Sequence, residues 1–128
     1  MSYYFAKTLP VGFDEAVRRA TEALKQQGFG IITEIDVKDT LKQKLGVDFR
    51  PYRILGACNP KLAHEALTLE DRIGTMLPCN VVVQETPDRK VAVAVIDPVA
   101  SMMAVDNPAL RRAAEEVRER LRRVIAAV

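Results

Sequence analysis

The sequence predicts an α+β fold: a two-layer sandwich with a mainly antiparallel sheet of about five strands and helices on one face. Three observations carry this. Period-two and period-3.6 apolar runs take turns along the chain, in the order β-α-β-(short α)-β-α-β-β-α. Two valine-rich runs, Asn80 to Glu85 and Val91 to Asp97, flank the short polar segment TPDRK, which reads as a hairpin. The first β-α-β segment fits the split plan of ferredoxin-like domains. The 128 residues suit one domain with a single core, taken here as residues 1–128.

Each element follows from its residues. Tyr3 to Leu9 is an aromatic-rich first strand. Phe13, Val17, Ala20 and Leu24 recur at helical spacing, so Phe13 to Gln27 is a helix, with Gly28 as its stop. In Gly30 to Val37, Ile31, Thr33, Ile35 and Val37 face one way, and Ile32, Glu34 and Asp36 the other. Lys38 to Leu45 is a short helix ended by Gly46. Tyr52 to Cys58 is a strand whose Gly56 marks a bulge or a close approach by another group. Leu62, Ala66, Leu69, Ile73 and Met76 form one stripe, which predicts a helix from Pro60 to about Met76. Val91 to Asp97 is apolar on both faces, which calls for a central sheet position or a partner subunit. An apolar connection carrying Met102 and Met103 leads to the last helix, Pro108 to about Ala127. Its stripe is Leu110, Ala114, Val117, Leu121, Val124 and Val128, and pairs such as Arg111–Glu115 and Glu116–Arg120 suit a solvated, self-paired outer face.

Composition narrows the function classes. A hydrophobic content of 48% and a charged content of 28% are those of a globular protein, and no apolar run is long enough to span a bilayer. The N-terminus lacks a basic segment followed by a long apolar one, so a cytoplasmic location is expected. A net charge of +2 argues against a dedicated nucleic-acid surface. Arginine outnumbers lysine and tryptophan is absent, which fits a thermophile-like protein.

The two cysteines each precede an asparagine, in GACNP and LPCNVVV. Asn59 stands before Pro60 at a helix start, where its side chain caps and the proline occupies the first helical position; Asn107-Pro108 repeats the device. Cys58 then lies beside the positive end of a helix, where a thiolate is favoured if the sulfur points that way. Asn80 opens a strand, and Cys79 reads as a packed residue. A continuous helix between the cysteines would be about 24 Å long and would hold them apart. A break near Gly74, or a contact between subunits, would reopen the question of their pairing. A metal set would recruit Cys58, Cys79, His64 and Met76, but His64 projects away from inward-facing Leu62 and no CxxC spacing occurs. Neither a metal nor a cofactor is expected. No glycine-rich phosphate loop, GxSxG elbow or HExxH is present.

The joint presence of EIDV, LKQKLG, YRILGACNP and LPCNVVV resembles the bacterial and archaeal domain-of-unknown-function family 302, in its small single-domain, thermophile-like members. The resemblance implies an α+β domain that forms a homodimer. It transfers no activity, and it marks Cys58-Asn59-Pro60 and Leu77-Pro78-Cys79-Asn80 as motif positions without giving them a role.

The leading expectation is a homodimeric ligand-binding or accessory module without nucleic-acid or membrane partners. Its candidate ligand residues are Cys58, Asn59, Cys79, Asn80, Met102 and Met103. Two alternatives stay open: a thiol enzyme or redox sensor using Cys58, and metal binding through Cys58 and Cys79. Whether the chain is an enzyme is left open.

Overall fold

A computed structural model describes residues 2–128. Five strands form one antiparallel sheet: β1 (Tyr4–Leu9), β2 (Gly30–Asp36), β3 (Tyr52–Cys58), β4 (Cys79–Glu85) and β5 (Val91–Ile96), in the spatial order β1-β5-β4-β3-β2. Every neighbouring pair is antiparallel. β1 and β2 therefore point the same way from opposite edges. The split β-α-β unit is present, with three strands in its gap.

The crossover between them is α1 (Phe13–Gln26). Gly28 stops it at a φ of 85°, a left-handed conformation that suits glycine. Ala16, Ala20 and Leu24 of α1 meet Val81 and Val83 of β4, Val93 and Val95 of β5, and Leu121 and Val124 of α5 (Pro108–Ala127) in the main core. Helices α1 and α5 thus cover one face of the sheet. Between β2 and β3, α2 (Val37–Leu45) is capped by Asp36, which accepts from the Asp39 N–H at 3.0 Å, and ends at Gly46.

β5 occupies an interior position in the sheet, with alternating faces. Val91, Val93 and Val95 are buried under the helices, while Ala92, Ala94 and Ile96 are half-buried on the other face. That open face carries a row across all five strands, Ala6, Ala94, Val82, Ile54 and Ile35, each directly paired with the next. Its end residues, Ala6 and Ile35, are exposed.

Three expectations are corrected. The alternation of β2 breaks at a bulge between Ile31 and Thr33. Ile31 pairs with Ala57 and packs on the core, whereas Thr33 pairs with Gly56 and joins Ile35 on the open face. The helix α3 (Pro60–Leu69) does not run to Met76: Glu70 is extended, with a φ of −148°, and a 3-10 turn, Asp71–Met76, follows. The outer face of α5 is solvated and carries an Arg122–Glu119 ion pair at 3.8 Å, but the pairs Arg111–Glu115 and Glu116–Arg120 do not form. Arg120 donates to the carbonyl of Gln27 at 3.1 Å, and Arg118 reaches Asp97, so both fasten α5 to the rest of the fold.

Candidate functional site

The break after Leu69 decides where the cysteines lie. The chain turns back through the 3-10 segment and the cis Leu77-Pro78 peptide, then enters β4 beside β3. Cys79 consequently pairs with Ala57, one residue before Cys58. The expectation that the intervening helix separates the thiols is overturned; they are neighbours on adjacent strands.

Both line an apolar cavity of about 310 Å³. Its floor is the end of the sheet, at Ala57, Cys58 and Cys79. Its walls come from α3 and α5, where Ala63 and Ala66 on one helix and Ala113 and Ala114 on the other leave space that larger side chains would fill. Leu62, Leu110, Val117 and Met102 complete much of the rest, and no charged side chain lines it.

Local devices set these elements. The Asn59 side chain accepts from the Leu62 N–H at 3.2 Å with Pro60 at the helix start, as the sequence predicts. Asn107 does more. Its oxygen accepts from the N–H groups of Ala109 and Leu110, and its Nδ2 donates to the Leu69 carbonyl at 3.1 Å. One side chain therefore starts α5 and satisfies an orphan carbonyl at the end of α3. Gly28 permits the approach of Asn59: a Cβ there would lie 2.9 Å from Asn59 Nδ2.

A third cap of this kind escapes the sequence reading. Asp97 stands before Pro98 and accepts from the Val99 N–H at 3.0 Å, starting the short helix α4 (Pro98–Ser101). Asp97 is only 6% exposed, and Arg118 Nε lies 3.4 Å from its carboxylate. That Nε is buried without a hydrogen bond, so charge holds the pair. The signal was the Asx-Pro dipeptide already legible at Asn59-Pro60 and Asn107-Pro108. Pro98 then joins the cavity wall.

Of the candidate ligand residues, the structure gathers Cys58, Asn59, Cys79 and Met102 around one cavity. Asn80 is exposed and pairs with Gly56, and Met103 is 57% exposed; neither lines the cavity. His64 is exposed and also stands outside it, as does Met76. Among the described residues, no group of three His, Cys, Asp or Glu side chains is placed to hold a metal ion. The sequence reading did not single out Ala66, Ala113 and Ala114 as site residues: Ala66 and Ala114 stood only as members of helix stripes, Ala113 stood beside one, and small size was their only signal.

The two thiols differ in environment. Cys79 is 8% exposed, and burial, with the Cys58 sulfur adding to it, pushes its thiol up to about 11. Cys58 is half-buried at the end of β3, directly before the helix cap.

Fold and site together define an open-faced α+β sandwich holding a thiol-bearing apolar cavity beneath its helices. The chain belongs to the family described as domain of unknown function DUF302, which matches residues 5–128. The crystal structure of an uncharacterized conserved protein DUF302 from Bacillus stearothermophilus is similar throughout. It has a TM-score of 0.92 and 29% identity, over 99% of this chain and 98% of that one. No curated protein matches the chain. No helix among the described residues is long and apolar enough to cross a membrane.

Proposed function

We propose that the protein is a small-ligand-binding module of the cytoplasm that works as a homodimer. The observation that carries the reading is the cavity. At about 310 Å³ it falls within the size range of small-molecule sites. A wall without charged side chains favours a compact, uncharged, apolar ligand, because an ion entering it would lose its hydration without gaining a partner. The open sheet face supports the dimer: its apolar row is available to a second copy, and contiguous exposed apolar surface marks interaction sites.

Light scattering and a melting screen with uncharged apolar compounds test both halves. A dimer is expected, and a ligand at 100 times its Kd should stabilise the protein by about 2.7 kcal/mol. Ala66→Leu, which fills the cavity, should abolish that shift. A monomer would overturn the dimer. An unresponsive wild type, together with a more stable Ala66→Leu variant, would reduce the cavity to a packing defect.

A second reading, a thiol enzyme or redox sensor, is favoured by the position of Cys58 on the cavity wall beside the start of α3. Iodoacetamide should modify Cys58 in the native protein, and Cys79 only after unfolding. Folding favours the protonated Cys79 thiol. Its contribution to stability is whole below the ordinary value near 9 and is lost as pH climbs through about 11. Two thiols that both resist modification until denaturation would dismiss the second reading.

A further inference from the structure

The slot between α3 and α5 has two unlike ends. The helices run antiparallel, and each end is pinned. At one end Asn107, the cap of α5, donates through Nδ2 to the Leu69 carbonyl at the end of α3. At the other, Asn59 Nδ2 and Arg120 Nη1 both lie beside Gly28, at 2.9 Å and 3.6 Å from where its Cβ would be. The cavity occupies this slot from Leu110 to Val117 on α5, a span of about 10 Å. Met102 packs with the Leu110 cluster, so that end is apolar. The Asn59 end is not.

Asn59 is the only lining residue with an amide, carboxyl or hydroxyl group. Its oxygen is already taken by the Leu62 N–H. Because that N–H is a donor, the oxygen must face it, and the amide nitrogen faces the other way. Asn107 offers the contrast within the fold. It caps α5 with its oxygen and uses its nitrogen on Leu69. Asn59 caps α3 with its oxygen, but among the described residues its nitrogen donates to no protein acceptor. That nitrogen lies beside Gly28, whose neighbour Phe29 also lines the cavity.

We propose that Asn59 sets the specificity of the cavity, which takes an uncharged ligand with an apolar body and one ketone-type carbonyl at the Asn59 end. The inference rests on the ligand reading above and deepens it by naming the ligand class. The wall has an amide N–H to donate and no free amide or carboxyl oxygen to accept, so the ligand supplies the acceptor. A carbonyl oxygen that enters an apolar space loses its water unless it meets a donor. Asn59 supplies that donor, and the helix cap holds it in place before the ligand arrives.

Isothermal titration calorimetry of the full chain with a matched pair of probes tests this. Acetophenone carries a carbonyl, and α-methylstyrene has the same shape with a methylene group in place of the oxygen. The wild type should bind both. Asn59→Asp keeps the side-chain shape and the helix cap but has no N–H to donate. It should weaken acetophenone by about five- to tenfold, as the loss of one hydrogen bond does. It should change α-methylstyrene by less than about twofold, because that probe offers the amide no partner. Asn59→Ser also caps, carries no charge and is too short to reach the same oxygen, so it should discriminate in the same direction. A loss confined to Asn59→Asp would assign the effect to charge and overturn the proposal. Probes weakened alike by both variants, or by neither, would also overturn it and leave a cavity that binds by shape alone. A wild type that binds neither probe would sink the inference. The ligand reading falls with it only if the wider screen of apolar compounds is silent too.

Discussion

Leu121→Ala should lower the unfolding free energy by about 3 kcal/mol and the melting temperature by about 10 °C. Leu121 is wholly buried on α5, in the cluster that joins α1, the sheet and α5. Its truncation removes apolar contact with two layers at once. The layers cannot close over the space, because each is held elsewhere. Arg120 fastens α5 to the end of α1 through the Gln27 carbonyl, and Asn107 fastens its start to Leu69. A site that cannot collapse keeps its cavity, so the cost stays within the usual range for such changes and does not fall below it. Urea denaturation would measure it, with Leu45→Ala as control. Leu45 is 69% exposed, so its truncation should change stability by no more than about 0.5 kcal/mol. A loss below about 1 kcal/mol at Leu121 would mean that α5 relaxes onto the sheet, and would contradict the rigid anchoring described above.

The elements most legible in the sequence were those set by their own residues. The α1 stripe and the Gly28 stop, the β4-β5 hairpin and the Asn59-Pro60 and Asn107-Pro108 helix starts all appear where local chemistry puts them. What escaped depends on residues far away in the chain. The apolar stripe of α3 continues in register through Leu69, Ile73 and Met76, and no glycine or proline marks Glu70. The helix ends there in a structure where Asn107 takes the Leu69 carbonyl and Ile73 is buried with Leu110. Tertiary contacts override a continuous local pattern. The bulge at Ile32 is equally silent, since Ile31, Ile32 and Thr33 are all good strand residues.

The candidate site follows the same division. Sequence reasoning found Cys58, Asn59, Cys79 and Met102 by residue type. It could not place them together while α3 was read as one long helix. Asn80 and Met103 shared the residue types but not the geometry, because strand alternation turns Asn80 toward the open face and Met103 lies beyond the wall. The cavity itself is a property of facing alanines on α3 and α5, which no single segment reveals.

Gly56→Ala is the sharper test of how the sheet supports that cavity. Gly56 has no positive φ, so its backbone would accept alanine, and in a strand the exchange would ordinarily help slightly. Space forbids it. A Cβ at Gly56 would lie 2.0 Å from Thr33 Oγ1 and 2.8 Å from Pro78 Cγ. Thr33 is there because the β2 bulge carries it to the open face opposite Gly56. The expected cost is about 2 kcal/mol, typical of overpacking. Thr33→Ala removes the closer obstacle, so Gly56→Ala should cost less in that background, with a coupling energy of about 1 kcal/mol in a double-mutant cycle. Additive effects would show that Thr33 is not the obstacle. Pro78 remains in either background, and it also lines the cavity. The Thr33→Ala/Gly56→Ala protein should therefore regain stability while its cavity stays displaced at Pro78. It should respond less than wild type to any ligand that the cavity binds. Wild-type binding in that double variant would separate the Pro78 wall from the site and leave the α3–α5 walls and the two thiols to carry it.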